Sequence, residues 1–100
     1  IYVADQVLDY VADLAEATRK HVLITLGLSP RGTLALVRMA KAAAYMKERD
    51  YVIPKDVQEV FKDVAAHRMI LDSKARYQEK TAREILSEIL SEVPEPKVEG

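Results

Sequence analysis

Apolar residues return every three to four positions in four stretches of this chain, the period of a helix with one buried face. The first stretch predicts a helix from about Asp5 to Arg19. Val7, Val11, Leu14 and Thr18 form its stripe, widened by Leu8, Ala12 and Ala15. Asp5, Asp9, Asp13 and Glu16 fall mostly off that stripe, and Arg19 and Lys20 close the helix. Acid toward the start and base at the end both suit the helix dipole. The second helix runs from Pro30 to about Glu48. Leu34, Val37, Lys41 and Ala44 share one line along it, and Leu36, Ala40, Ala43 and Lys47 share another. Met39 and Met46 widen the apolar surface, and many alanines favour helix and close packing. The third helix, Lys55 to Ala66, is opened by Pro54 and turns Val57, Val60, Phe61 and Val64 inward. The fourth follows Thr81 and Glu84, which stand in capping-box spacing. It carries Ile85, Leu86, Ile89, Leu90 and Val93 and stops at Pro94.

The intervening segments are less regular. His21 to Leu28 reads as a connector packed over the bundle; its Ile24-Thr25-Leu26 alternation is too short for a strand. Tyr51-Val52-Ile53 and Met69-Ile70-Leu71 are β-prone and flank the third helix, so they are candidates for a minor two-stranded pair. Their spacing fixes neither a parallel nor an antiparallel order. Asp72 to Lys80 reads as a surface loop, and 94–100 as a disordered tail. The expectation is an all-α four-helix bundle over 1–93, with a possible minor β pair.

Length and composition narrow the chemistry. One hundred residues make one small domain. The absence of Cys excludes a disulfide framework and thiolate metal ligands. A net charge of -1 gives no general pull on nucleic acid or membrane. No apolar run approaches the roughly 20 residues of a membrane span, and no basic-then-apolar leader stands at the start. His21 and His67 lie in different segments without metal-ligand spacing, and His67 reads as a partly buried cap or packing residue. Glycine at 27, 32 and 100 only cannot build a phosphate loop. Ser29 is better explained as an N-cap than as a nucleophile. The carboxylates fall on solvent faces, where nothing separates a pair of pKa values. Catalysis by this chain alone is not expected.

The stretch Gly27-Leu28-Ser29-Pro30-Arg31 is the exception. Ser29 suits an N-cap and Pro30 a first helical position, which sets Arg31 in the first turn. A cation there opposes the helix dipole. It is accidental, or it serves an anionic partner such as phosphate together with free backbone N–H groups. A nucleic-acid reading competes: Arg31, Arg38 and Lys41 put a modest basic line on the second helix, and Tyr51 to Phe61 has a weak histone-type look. The slightly acidic balance and the lack of a dense basic cluster speak against it.

Gly27-Leu28-Ser29-Pro30-Arg31, followed by Thr33-Leu34-Ala35-Leu36, closely resembles the second-sensor motif of MoxR-type AAA+ ATPases. Arg49-Asp50-Tyr51-Val52-Ile53-Pro54-Lys55-Asp56-Val57 resembles that family's next block, and His67-Arg68-Met69-Ile70-Leu71 its third. Asp9-Tyr10 to Thr18-Arg19 resembles the first helix of the family's lid. The blocks occur in family order and cover the chain to about Pro94.

The resemblance implies the small C-terminal helical lid of a larger cytoplasmic ATPase. An N-terminal AAA+ core would carry the phosphate loop, the Mg2+-binding acidic pair and the arginine finger. Arg31 would be the sensor-two arginine that touches the γ-phosphate of ATP, with Ser29, Pro30 and Arg31 as the nucleotide-facing residues. In the ring-forming branch that includes MoxR and magnesium chelatase, the arginine can serve a site shared with a neighbouring subunit. A hexameric ring and chaperone-like work on protein clients, some with von Willebrand A domains, are implied as well. ATP and Mg2+ would bind the whole protein and not this chain alone.

Four positions depart from the family pattern. Leu28 stands where the family usually has Ala, and Gly32 where it often has a small non-glycine residue. Gly32 in a first turn costs about 0.5–1 kcal/mol against Ala and is expected to loosen the backbone under Arg31. Ile53 replaces a common capping Thr and Lys55 a common acid, which weakens the start of the third helix. The competing expectation is a stand-alone helical module that binds protein or DNA without catalysis.

Overall fold

The computed structural model describes residues 1–97. Val98, Glu99 and Gly100 of the expected tail lie outside the described residues. Within them the order is α1 (Asp5–Lys20), β1 (Ile24–Leu26), α2 (Pro30–Met46), α3 (Pro54–Ala66), β2 (Ile70–Leu71), α4 (Ser73–Tyr77) and α5 (Ala82–Glu92). The four long helices stand where apolar periodicity puts them. None is long and apolar enough to cross a membrane.

The expected stripe of α1 is the buried one. Val7, Val11, Leu14 and Thr18 are enclosed, together with Tyr10 and Ala15, while Leu8 of the predicted wider stripe is exposed. The other elements contribute Leu36, Ala40 and Ala44 from α2, Val57, Phe61, Val64 and Ala65 from α3, and Ile85, Leu86 and Ile89 from α5. Alanines on the buried line of α2 let α3 approach closely, and these two helices make the most extensive helix contact. Leu34, Met39 and Met46 are exposed, so the apolar surface of α2 is narrower in the fold than in the sequence.

Three local expectations are corrected. The β pair is not made by the two segments that flank α3. β1, from the connector judged too short for a strand, pairs antiparallel with β2, Ile24 opposite Leu71 and Leu26 opposite Ile70. Asp72 N–H donates to the Leu23 carbonyl and extends the pairing by one bond of 2.8 Å. Tyr51 instead forms a single parallel bridge with Tyr2 near the N-terminus. Such short strands persist because burial of Leu23, Ile24 and Leu28 holds the connector on the bundle. The segment read as a loop over 72–80 contains α4. Asp72 caps it by accepting from Lys74 N–H at 2.9 Å, and Ala75 is buried beneath it. His67 is also corrected: it forms the C-cap of α3 but is exposed.

Helices α2 and α4 end without glycine. Glu48 and Glu79 take the left-handed conformation instead, with φ of 61° and 56°. After α2, Arg49 N–H reaches the Ala44 carbonyl and Glu48 N–H the Tyr45 carbonyl, a Schellman turn. The turn delivers Arg49 to Asp56, whose two oxygens each accept from the guanidinium at 2.7 Å. Asp56 is fully buried, and its carboxylate also accepts from Ile53 N–H at 2.9 Å. The start of α3 is therefore capped from its third residue, although Ile53 has no side-chain acceptor.

Candidate functional site: an arginine-lined groove at the start of α2

The loop before α2 is fixed on both sides of one residue. The buried Thr18 hydroxyl donates to the Ala15 carbonyl at 2.6 Å and accepts from Leu28 N–H at 2.9 Å. Arg19 Nε donates to the Leu28 carbonyl at 2.8 Å. Gly27 lets the loop lie directly on the last turn of α1, because a Cβ there would stand 2.7 Å from backbone atoms of Thr18 and Arg19. Any side chain at 27 would push the loop away.

Ser29 and Pro30 then start the helix as expected. Ser29 Oγ accepts from Gly32 N–H at 3.1 Å, and Thr33 N–H reaches the Ser29 carbonyl at 2.8 Å. Pro30 has no N–H. The first turn therefore offers an anion the N–H of Arg31 and its guanidinium, fewer backbone donors than the bare pattern of a helix start suggests.

Ser29, Pro30 and Arg31 line one open groove of about 890 Å³. Its walls also carry Arg19, Arg38 and Arg68, with Leu26, Leu34 and Met39 between them, and no carboxylate lines it. Arg31 and Arg38 are exposed, and among the described residues neither forms an ion pair. Four arginines around a concavity without acidic residues favour an anion, and phosphate matches the guanidinium fork. Among the described residues no group of three His, Asp or Glu is placed to hold a metal ion.

Arg19 and Arg68 lie in blocks that resemble the family, and Arg68 could by sequence pair with an acidic residue or reach a partner, but nothing in the sequence assigned either to this groove. The signal that could have found them is the β pair: β1 leads directly into the loop before α2, and β2 begins two residues after Arg68. Their pairing brings the two arginine-bearing segments together.

Gly32 is also accounted for. It is buried, and a Cβ there would stand 2.6 Å from Leu28 Cδ1 and 3.2 Å from Arg68 Cδ. The expectation of a loosened backbone gives way to one of close packing. The large Leu28 and the missing side chain at 32 fill one volume.

The AAA lid domain family matches residues 16–89. Among curated proteins, the Bacillus subtilis protein YeaC is 39% identical over 92% of this chain and 29% of its own length. Chaperone MoxR1 of Mycobacterium tuberculosis is 34% identical over 97% of this chain and 28% of its own length. A crystal structure of a "putative ATPase" from Cytophaga hutchinsonii superimposes with a TM-score of 0.89 at 33% identity, over 97% of this chain and 32% of that one. The chain thus spans about three-tenths of the length of the relatives it matches. With the helical bundle, the capped start of α2 and these matches together, the chain belongs to the AAA lid domain family, in the MoxR-type AAA+ ATPase branch.

Proposed function

We propose that this lid supplies Arg31 to the γ-phosphate of ATP held by an AAA+ core in the same longer protein. The observation that carries the reading is the placement of Arg31: exposed, one residue into α2, on a groove with four arginines and no carboxylate. The loop behind it is tied down by Thr18, Arg19 and Gly27, so the guanidinium is presented from a prepared backbone. Preorganised donors of this kind lower the barrier to phosphoryl transfer by stabilising charge on the transferring group. Phosphate loop, Mg2+ ligands and arginine finger belong to the core.

Bound ATP would tie the lid to the core, and release of phosphate would free it. That exchange couples hydrolysis to lid motion. The reading extends to a cytoplasmic ring, hexameric by family pattern, in which Arg31 serves its own subunit or a neighbour. The name of the M. tuberculosis relative, a chaperone, supports chaperone-like work on protein clients; clients with von Willebrand A domains are carried over from the family resemblance alone.

The test is steady-state ATP hydrolysis by the whole protein with Arg31→Ala, with ring assembly followed by sedimentation. Turnover should fall about 100-fold or more while assembly and folding persist. Unchanged turnover in an intact ring would overturn the sensor role.

A further inference from the structure

Arg68 is exposed, and the hydrogen bond that holds it goes to a backbone carbonyl and not to a carboxylate. It follows α3 and turns back over the start of α2, where its Cδ passes 3.2 Å from the position a Cβ on Gly32 would take. Gly32 is next to Arg31 in the chain, so the Arg68 stem lies across the turn that carries Arg31. One guanidinium nitrogen, Nη1, donates to the Val64 carbonyl at 3.2 Å, in the last turn of α3. That bond satisfies a carbonyl left free by the helix end and tethers one edge of the guanidinium. Nε and Nη2 have no hydrogen-bond partner among the described residues, and no carboxylate pairs with the group there.

The groove contains other arginines, but they differ in how they are held. Arg19 spends Nε on the Leu28 carbonyl and reaches Glu16 and the Thr33 hydroxyl at 3.5 Å each. It positions the loop. Arg38 lies two helical turns from Arg31 along α2, about 10 Å away by helix rise. Arg68 comes from outside α2 as Arg19 does, but unlike Arg19 it is anchored through one nitrogen, with no partner on the others among the described residues. Two guanidinium groups from separate elements can take different oxygens of one polyanion.

We infer that Arg68 is a second phosphate-binding arginine of this lid, which shares the triphosphate tail of the nucleotide with Arg31. The inference rests on the reading of Arg31 as a nucleotide contact but assigns a separate residue and a separate task. Arg31 faces the group that is transferred. Arg68 adds charge and donors that count in the bound triphosphate, and so sets affinity and the preference for triphosphate over diphosphate. The antiparallel β1–β2 pair is the device that keeps the two arginines on one groove. Gly32 provides the room for the Arg68 stem.

The decisive variant is Arg68→Met in the whole protein. Methionine keeps an unbranched apolar stem over Gly32 and removes the charge. Equilibrium binding of a fluorescent non-hydrolysable ATP analogue and of fluorescent ADP is measured with Mg2+ present. Unfolding temperature and ring assembly are followed in parallel. Arg68→Met is expected to weaken the triphosphate about 10-fold, leave ADP within about twofold, and leave Tm and assembly unchanged. Arg68→Lys should recover part of the loss, since a point charge replaces the fork only in part. In turnover, KM should rise more than kcat falls.

Triphosphate affinity unchanged in Arg68→Met, with the ring intact, would overturn the inference. Equal weakening of both nucleotides would overturn the triphosphate preference. Loss of assembly with normal nucleotide affinity would reassign Arg68 to an ion pair with a neighbouring subunit, and would overturn it as well. Arg31→Ala separates the two readings. If it lowers turnover while Arg68→Met binds normally, only the Arg68 assignment fails. If Arg68→Met loses affinity while Arg31→Ala is without effect, the Arg68 assignment stands and the sensor reading fails.

Discussion

The two ends of α2 are both basic, and they treat their charges in opposite ways. At the far end, Arg49 is paired in a fork with the buried Asp56, and Lys47 binds Glu59 and lies 3.5 Å from Asp56. Arg49 also sits over the Tyr51 ring at 5.8 Å. At the near end, Arg31, Arg38 and Arg68 have no acidic partner among the described residues; Arg68 is anchored on a backbone carbonyl, and Arg19 holds another through Nε while meeting Glu16 only at 3.5 Å. A backbone carbonyl orients a guanidinium without cancelling its charge, whereas a carboxylate does both. The far end therefore looks inward and holds helices together. The near end keeps its positive potential for something outside the chain. An arginine's anchor, and not its mere presence, separates a structural cation from a binding one.

The largest effect on stability should come from breaking the paired end. Asp56→Asn removes the charge that Arg49 is folded against and one acceptor at the start of α3. Removal of one partner from a buried pair costs about 3–5 kcal/mol, and partial exposure of Arg49 puts the expected loss near the lower figure. Urea unfolding near pH 7 measures it. Burial alone would raise the Asp56 pKa, but the Arg49 fork, the Ile53 N–H and the nearby Lys47 outweigh it and hold the carboxyl below its ordinary value. A depressed folded pKa makes this contribution complete above the unfolded value of about 4 and lost as pH falls through the folded one. The gap between wild type and Asp56→Asn should be constant at neutral pH and close below about pH 4. A gap that persists at low pH would mean that shape and not charge carries the contribution.

The unpaired end can be disturbed through its backbone. Gly27→Ala would force the loop off the last turn of α1, since the atoms in the way are backbone and cannot rotate aside. A loss of about 2 kcal/mol is expected, by the strain and overpacking it creates. The bonds from Thr18 and Arg19 to Leu28 would lengthen with it. In the whole protein the variant should lose turnover beyond what its stability explains, because the displaced loop leads directly into the first turn of α2, which carries Arg31. Normal turnover in folded Gly27→Ala would mean that the tie-down of the loop is irrelevant to the site.

Much of this architecture was legible in the residue pattern, for a physical reason. Long helices repeat their burial pattern over several turns, so α1, α2, α3 and α5 announced themselves, and Ser29, Pro30 and Thr81 marked their starts. The five residues of α4 are too few for a period, and the capping by Asp72 emerges only in the fold. β1 and β2 escaped because strands of three and two residues are defined by their partner, and a partner more than 40 positions away leaves no local trace. The same gap hid the groove. Arg31 could be singled out from its own turn, but its meeting with Arg68 depends on that long-range pair.

A smaller effect tests the packing beneath the near end. Leu28 and Gly32 are neighbours in the fold, at a distance where a Cβ at 32 would stand 2.6 Å from Leu28 Cδ1 and one of the two must shift. Leu28 is fully buried, so its side chain has nowhere to retreat. Gly32→Ala alone should therefore destabilise by about 1 kcal/mol, although alanine is the better helix former by about 0.5–1 kcal/mol. Leu28→Ala alone opens a cavity and should cost about 2–3 kcal/mol. In the Leu28→Ala background the clash at 2.6 Å is gone, and Gly32→Ala should become neutral or slightly stabilising. The double-mutant cycle would then show a favourable coupling of about 1 kcal/mol. Additivity within about 0.5 kcal/mol would mean that the two positions are independent and that Gly32 serves the Arg68 stem alone. The sign of one methyl group's effect thus reports whether the floor beneath Arg31 is filled from the loop or from the helix.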